Sequence, residues 1–268
     1  MKRSVRFGLA ILAISALCVA ACGNDSSKSS SSTTTTTAKP AVKGDVTVSA
    51  AASLTDAFTQ IGTDFHTANP DATVTFNFGS SGTLAMQIIG GAPAGVFASA
   101  DTSNMQKVSA AHLVQGKPVD FASNSLIIAT KPGNPKVIRS LSDLAKPGLV
   151  VSLCSLDAPC GAYAQQILDA AKVTIPASQI TRGQDAKATL AAVTQGDADA
   201  AIVYVTDAWT VGTQVSTVSI PAAQNVIAKY PIASLTHATS PDVAKAFVQY
   251  VTSPQGQARL SQYGFRAP

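Results

Sequence analysis

The stretch from Val46 to Asp101, VTVSAAASLTDAFTQIGTDFHTANPDATVTFNFGSSGTLAMQIIGGAPAGVFASAD, twice joins a short apolar run to a helical pattern through small and hydroxyl residues. In the first joint Val46 to Ser49 alternates like a strand and three alanines follow. Ser53 and Asp56 then have the S-x-x-D spacing of an N-cap ahead of LTDAFTQIGTDF, which predicts that a strand stops and a helix starts at Ser53. In the second joint Val74, Phe76 and Phe78 share one face and Gly79-Ser80-Ser81-Gly82 turns the chain. LAMQII opens a helix with Leu84 and Ile88 inward and Ile89 as a third candidate. Each joint leaves backbone N–H groups and hydroxyls at a helix N-terminus, where the helix dipole favours an anion without any full positive charge. Taken alone, either joint also reads as an ordinary Ser cap.

The rest of the chain continues the alternation, so an α/β architecture is expected. Candidate strands are 46–49, 73–78, 95–98, 125–130, 149–153, 200–204 and 226–234. Candidate helices are 54–66, 83–89, 103–110, 161–171, 185–195, 241–252 and 255–262, with a short one in LSDLAKPG at 141–148. Three more joints offer donors: Pro159-Cys160-Gly161 before AYAQQILDAA, Gly183 to Ala186 before KATLAAV, and Ile202-Val203-Tyr204, which brings a phenol to a strand end. Each is expected to supply an N–H or an O–H and no formal charge.

The N-terminus points to export. Lys2, Arg3 and Arg6 precede an apolar run from Phe7 to Val19, and Val19-Ala20-Ala21-Cys22 ends in small residues before a cysteine. This resembles a bacterial lipoprotein signal, which implies cleavage of residues 1–21, lipid on Cys22 and attachment to the outer face of the cell membrane; a plain signal peptide or an uncleaved anchor is the alternative. No later stretch has the length and apolarity of a membrane span. Residues 22–44, with SSKSSSSTTTTTAKP, read as a polar tether. Loss of residues 1–21 removes three positive and no negative charges, taking the formal charge from +4 to +1 (4 − 3). That balance argues against a nucleic-acid partner. Cys154 and Cys160 remain as a close pair in an exported chain and read as a disulfide, with two free thiols as the alternative. His66, His112 and His237 are scattered, and no metal site is expected.

The segments AAASLTDAF (50–58), FNFGSSGTLAMQI (76–88), GAPAGVFASAD (91–101), GDADAAIVYVTDA (196–208), YPIASL (230–235) and SPQGQARLSQYGF (253–265) together resemble the periplasmic molybdate-binding proteins of ABC transporters. The resemblance covers nearly all of the chain after the tether. It implies a two-lobe periplasmic-binding-protein type II fold, with mixed sheets flanked by helices and a ligand cleft between lobes. Lobe 1 is expected at 45–123 and 228–268 and lobe 2 at 124–227, with crossings near Phe121 to Ser125 and Val226 to Pro231. Carried over residue by residue, it implies an oxyanion, molybdate or tungstate, held by the hydroxyl and N–H of Ser53 and Ser81, the N–H of Cys160 and of Ala186, and the hydroxyl of Tyr204. The implied partners are an ABC permease with a cytoplasmic ATPase. The protein is expected to be a monomer without a cofactor, and this chain carries no phosphate-gripping loop of its own.

The chain departs from the family at Cys160, where Ala is common, at Ala186, where Val is common, and at Gly95, where Asp is common. The first two act through the backbone and should be tolerated. A hydrolase reading fails because Gly79-Ser80-Ser81-Gly82 is not G-x-S-x-G and no joint carries a His. A same-fold receptor for sulfate or phosphate remains the alternative, and a structural or adhesive lipoprotein gives no reason for five donor-rich joints. Trp209 is the one tryptophan and is expected near the cleft; Arg182 and Lys187 flank the fourth joint and are expected outside the site.

Overall fold

β1 (Gly44–Ala51) is buried along Val46, Val48, Ser49 and Ala50. It lies between two parallel neighbours, β2 (Ala72–Gly79) and β3 (Val96–Ala98), and helices packed against the sheet cover its faces. The computed structural model in which this is seen describes residues 42–268. The expectations for the leader, Cys22 and most of the tether lie outside those residues. Helix α1 (Thr55–Ala68) turns Ala57, Phe58, Ile61 and Phe65 inward, the spacing of one helical face, and α2 (Ser81–Ile89) buries Leu84, Ala85 and Ile88. Ile89 is 40% exposed: with Leu84, Ala85 and Ile88 filling the stripe, the last turn carries it round to solvent. α3 (Thr102–Ala110) is capped by Asp101, whose side chain accepts from Asn104 N–H at 2.9 Å.

β4 (Val114–Thr130) is the longest strand and joins two sheet halves. Its first part pairs antiparallel with β9 (Ile227–Leu235), from Val114↔Leu235 to Ser125↔Ile227, and β9 in turn pairs with β3. Its last residues, Leu126 to Thr130, pair with β7 (Ala200–Tyr204), and Ile127 to Thr130 also pair with β8 (Ser216–Ser219). β5 (Val151–Cys154) lies parallel to β7 and to β6 (Ile180–Gly183). The sheet order is therefore β2-β1-β3-β9-β4-β7-β5-β6, with β8 beside β4. α4 (Pro159–Ala170), α5 (Ala186–Thr194) and α6 (Val205–Val211) belong to the second half. α7 (Pro241–Thr252) and α8 (Pro254–Gln262) follow β9 and return to the first half, where α7 contacts β1 and α8 contacts α1. Phe58, Phe65, Phe76, Phe121 and Phe247 meet there, with ring centroids 5.5–6.2 Å apart.

The expected mixed α/β fold is present, and β1, β2 and β4 run longer than the sequence suggests. VQGKPVDFASN carries Gly116 and Pro118, which argue against a strand, yet it forms most of β4. A register shift between Gln115 and Val119 takes both residues out of regular pairing. Short, half-exposed β6 and β8 carry little apolar signal, and α6 follows β7 with no intervening loop. The short helix expected at 141–148 is a 3-10 turn, Leu141–Ala145.

Candidate functional site

The five joints meet at one small cavity, bordered by the ends of β1, β2 and β7 and the starts of α2, α4 and α5. Ser53, Ser81, Cys160, Ala186 and Tyr204 all line it, together with Ser80, Asp185 and small residues including Gly79, Ala100 and Pro159. Ser53 and Ser81 come from the first sheet half and the other three from the second. Among the described residues, no Lys or Arg lines the cavity.

Ser53 reaches it by a different route from the one its spacing suggests. β1 runs on to Ala51, a 3-10 turn covers Ala52–Leu54, and α1 begins at Thr55 with Leu54 as its N-cap and no side-chain cap bond. The Ser53 hydroxyl instead meets Tyr230 Oη at 3.0 Å. Asp56, the expected capping partner, forms an ion pair with Lys187 of α5 in the other half. At the second joint, α2 starts at Ser81 with Ser80 as N-cap, and again the side chain makes no cap bond. Ser81 Oγ accepts Ala100 N–H at 2.9 Å, which leaves its own hydrogen to donate elsewhere. Ser80 Oγ is buried without a partner, and so is Tyr204 Oη. Both are cavity-lining hydroxyls, and two unpaired buried hydroxyls in one cavity are costly unless a ligand occupies it.

The backbone donors follow from helix geometry. Cys160 and Ala186 lie in the first turns of α4 and α5, where no carbonyl stands one turn earlier to receive their N–H groups. Gly161 N–H and Ala162 N–H both turn to Ala158 carbonyl, and Ala188 N–H is taken by Asp185 Oδ1 at 2.9 Å. Cys154 and Cys160 form a disulfide with Cα atoms 5.8 Å apart, pinning the turn between β5 and α4. Gly161 has no room for a side chain, since a Cβ would overlap Ser155 carbonyl.

One expectation needs correction. The fourth joint does carry a formal charge: Asp185 lines the cavity, held there as the N-cap of α5. Arg182 and Lys187 are outside it, Arg182 Nη1 donating to Cys154 carbonyl at 2.8 Å and Lys187 reaching Asp56. At Gly95 a Cβ would press on Val46 Cγ2, so this chain's local packing requires the glycine.

The surroundings of Tyr204 were not legible in the sequence. Tyr230 and Asn124 sit on β9 and β4 far from the joints in sequence, and only the strand pairing brings them to Ser53. Asp207, in the first turn of α6, accepts Tyr204 N–H through Oδ2 at 3.1 Å, while Oδ1 has no partner. Burial pushes the Asp207 carboxyl up to about 7, against the pull of Lys187. Burial likewise raises the Tyr204 phenol well above its ordinary value, so it stays an O–H donor. The cavity thus presents hydroxyls and N–H groups on two sides, a set suited to an oxyanion, with no nucleophile and base arranged for catalysis.

Residues 46–266 match the family model for bacterial extracellular solute-binding proteins, and the chain belongs to that family of binders rather than enzymes. More particularly, it is 43% identical over 265 residues, 97% of this chain and 98% of the relative, to the molybdate-binding protein ModA of Mycobacterium tuberculosis. Among solved structures, the periplasmic molybdate-binding protein of Azotobacter vinelandii superposes with a TM-score of 0.76 at 21% identity, covering 83% of this chain and 99% of that one. The sulfate-binding protein SubI of M. tuberculosis gives 0.73 at 20% identity, covering 83% and 86%. The fold is therefore shared by receptors named for different oxyanions.

Proposed function

We propose that this protein is an extracytoplasmic receptor that captures molybdate, and also tungstate, in the donor-lined cavity and hands it to an ABC permease driven by a cytoplasmic ATPase. In this reading Cys22 carries the lipid anchor and residues 22–44 the tether. The two lobes, 45–123 with 228–268 and 124–227, close on the anion by bending of β4 and β9 where they cross. The observation that carries the reading is the pair of buried, unpartnered hydroxyls, Ser80 Oγ and Tyr204 Oη, in a cavity that also collects the N-termini of α2, α4 and α5.

Neutral donors suffice, because a hydrogen bond to an ionised acceptor is roughly twice as strong as a neutral one. Selectivity is then a matter of reach. A fixed ring of donors set to the longer metal–oxygen bonds of molybdate leaves the smaller sulfate unable to satisfy all of them, and unpaired donors in a closed cavity are costly. The second reading, a receptor for sulfate or phosphate, is favoured by the likeness to a sulfate-binding fold. Isothermal titration with molybdate, tungstate, sulfate and phosphate separates the two. Tight binding of the first two alone, weakened about 10-fold or more by Ser81→Ala and by Tyr204→Phe, supports the molybdate reading. Equal binding of sulfate or phosphate would move the assignment to the alternative.

A further inference from the structure

Asn124, Tyr230 and Ser53 form a chain of hydrogen bonds whose direction can be worked out from one fixed end. Asn124 Oδ1 lies 2.9 Å from Ser125 N, and a backbone N–H can only donate, so this atom is the amide oxygen. Asn124 Nδ2 is then a double donor, reaching Thr206 Oγ1 at 2.8 Å and Tyr230 Oη at 3.4 Å. Tyr230 has a single hydroxyl hydrogen. With Asn124 offering it only hydrogens, the acceptor within reach is Ser53 Oγ, 3.0 Å away. The opposite arrangement, with Ser53 donating to Tyr230, would leave the Tyr230 O–H in a fully buried position with no acceptor. Ser53 Oγ therefore accepts from Tyr230, and its own hydrogen is left for the cavity it lines.

We propose that Tyr230 and Asn124 are positioning residues that hold the Ser53 hydroxyl as a donor toward the anion; this rests on the reading of the cavity as an oxyanion site. Both sit on the two strands that join the sheet halves, and Asn124 also holds Thr206 in the first turn of α6, next to Tyr204. The chain thus links a donor of the first half to the start of the helix that follows the donor of the second. Burial keeps the Tyr230 phenol protonated far above neutral pH, so the hydrogen this chain needs is always present. An acceptor-only group at position 124 would reverse the whole sequence: Tyr230 would donate to it, Ser53 would donate to Tyr230, and the cavity would face a serine oxygen without its hydrogen.

A double-mutant cycle tests this on the full chain, by titration with molybdate, with thermal melts as the control for folding. Tyr230→Phe and Ser53→Ala should each weaken molybdate about 10- to 100-fold, the loss of one hydrogen bond to a charged acceptor. Their combination should be within about 2-fold of Ser53→Ala alone, because Tyr230 acts through Ser53. Multiplying losses would overturn the proposal, since a merely structural tyrosine costs the same whether or not Ser53 is there. Asn124→Asp supplies a second route should Tyr230→Phe fail to fold. Its affinity should fall about 10-fold or more where Ser53 is present and by no more than about 2-fold in the Ser53→Ala background. An equal loss in both backgrounds, or no loss, would contradict the chain. Failure of the unmodified protein to bind molybdate would remove the oxyanion reading and this inference together, whereas binding with an additive cycle removes the inference alone.

Discussion

Tyr204 is 1% exposed and its hydroxyl has no hydrogen-bond partner, an arrangement that costs stability while the cavity is empty. Tyr204→Phe should therefore act with opposite signs on two measurements. It should stabilise the ligand-free protein by about 1 kcal/mol in chemical denaturation, because an unsatisfied buried group is removed, while weakening anion binding. Loss of stability without ligand would show that the hydroxyl has a partner after all. Asp207 gives a second prediction at this scale. Its folded-state carboxyl titrates at about 7 against an ordinary 3.8, so between those values the folded protein holds a proton that the unfolded chain has released. Its contribution is thus present in full below about pH 4, is lost as pH rises toward about 7, and stays level above that. The difference approaches a few kcal/mol at most. Urea unfolding at pH 5 and pH 8 should show this excess at pH 5 in the unmodified protein and lack it in Asp207→Asn; identical pH dependence in the two proteins would exclude Asp207 as its source.

Among the elements, α2 of the first half and the turn from Ser155 to Ala158 of the second are in close contact, where a Cβ on Gly82 would overlap the carbonyl oxygen of Asp157. Gly82→Ala should leave the melting temperature within a few degrees, since both elements can part, and should weaken molybdate about 10-fold or more because the halves cannot close on it. An unchanged affinity in titration would show that this contact is not part of the bound form. The sequence made α2 legible because GSSG followed by LAMQII carries both the turn and the helical spacing. The same local signals misled at Ser53, where S-x-x-D spacing is satisfied by a 3-10 turn and an interhalf ion pair instead of a cap. β4 was only partly visible, because its bulge hides Gly116 and Pro118 in what reads as a loop. Asn124 and Tyr230 left no local trace: what makes them part of the site is the pairing of Ala122 with Tyr230 and Asn124 with Ala228, a long-range register that no short motif encodes. Asp185 could have been found, since an Asp ahead of AKATLAAV is an evident N-cap, and a cap at a joint that faces the cavity borders that cavity.

For the whole molecule, the described residues 42–268 pack as one compact unit, residues from both sheet halves share one cavity, and Lys187 of α5 pairs with Asp56 of α1. That ion pair is partly exposed, with side chains 33% and 40% accessible, so its contribution to closure is modest and sensitive to salt. Lys187→Met should lower molybdate affinity by no more than about 5-fold at low ionic strength, with the difference fading at 0.5 M salt. A large, salt-independent loss would place Lys187 in the anion site itself. Trp209, 66% exposed on the groove that this pair borders, should report closure through its fluorescence when the anion binds.

The central claim is that the anion sits in the cavity shared by the two halves, gripped by uncharged donors. Diffraction from crystals grown with molybdate, collected on either side of the molybdenum absorption edge, tests it most directly. The account predicts one strong anomalous peak in the cavity, with oxygens within hydrogen-bond reach of Ser53, Ser81 and Tyr204 hydroxyls and of Cys160 and Ala186 N–H. A peak confined to the outer groove near Lys187, or an anion-free cavity at saturating molybdate, would contradict it.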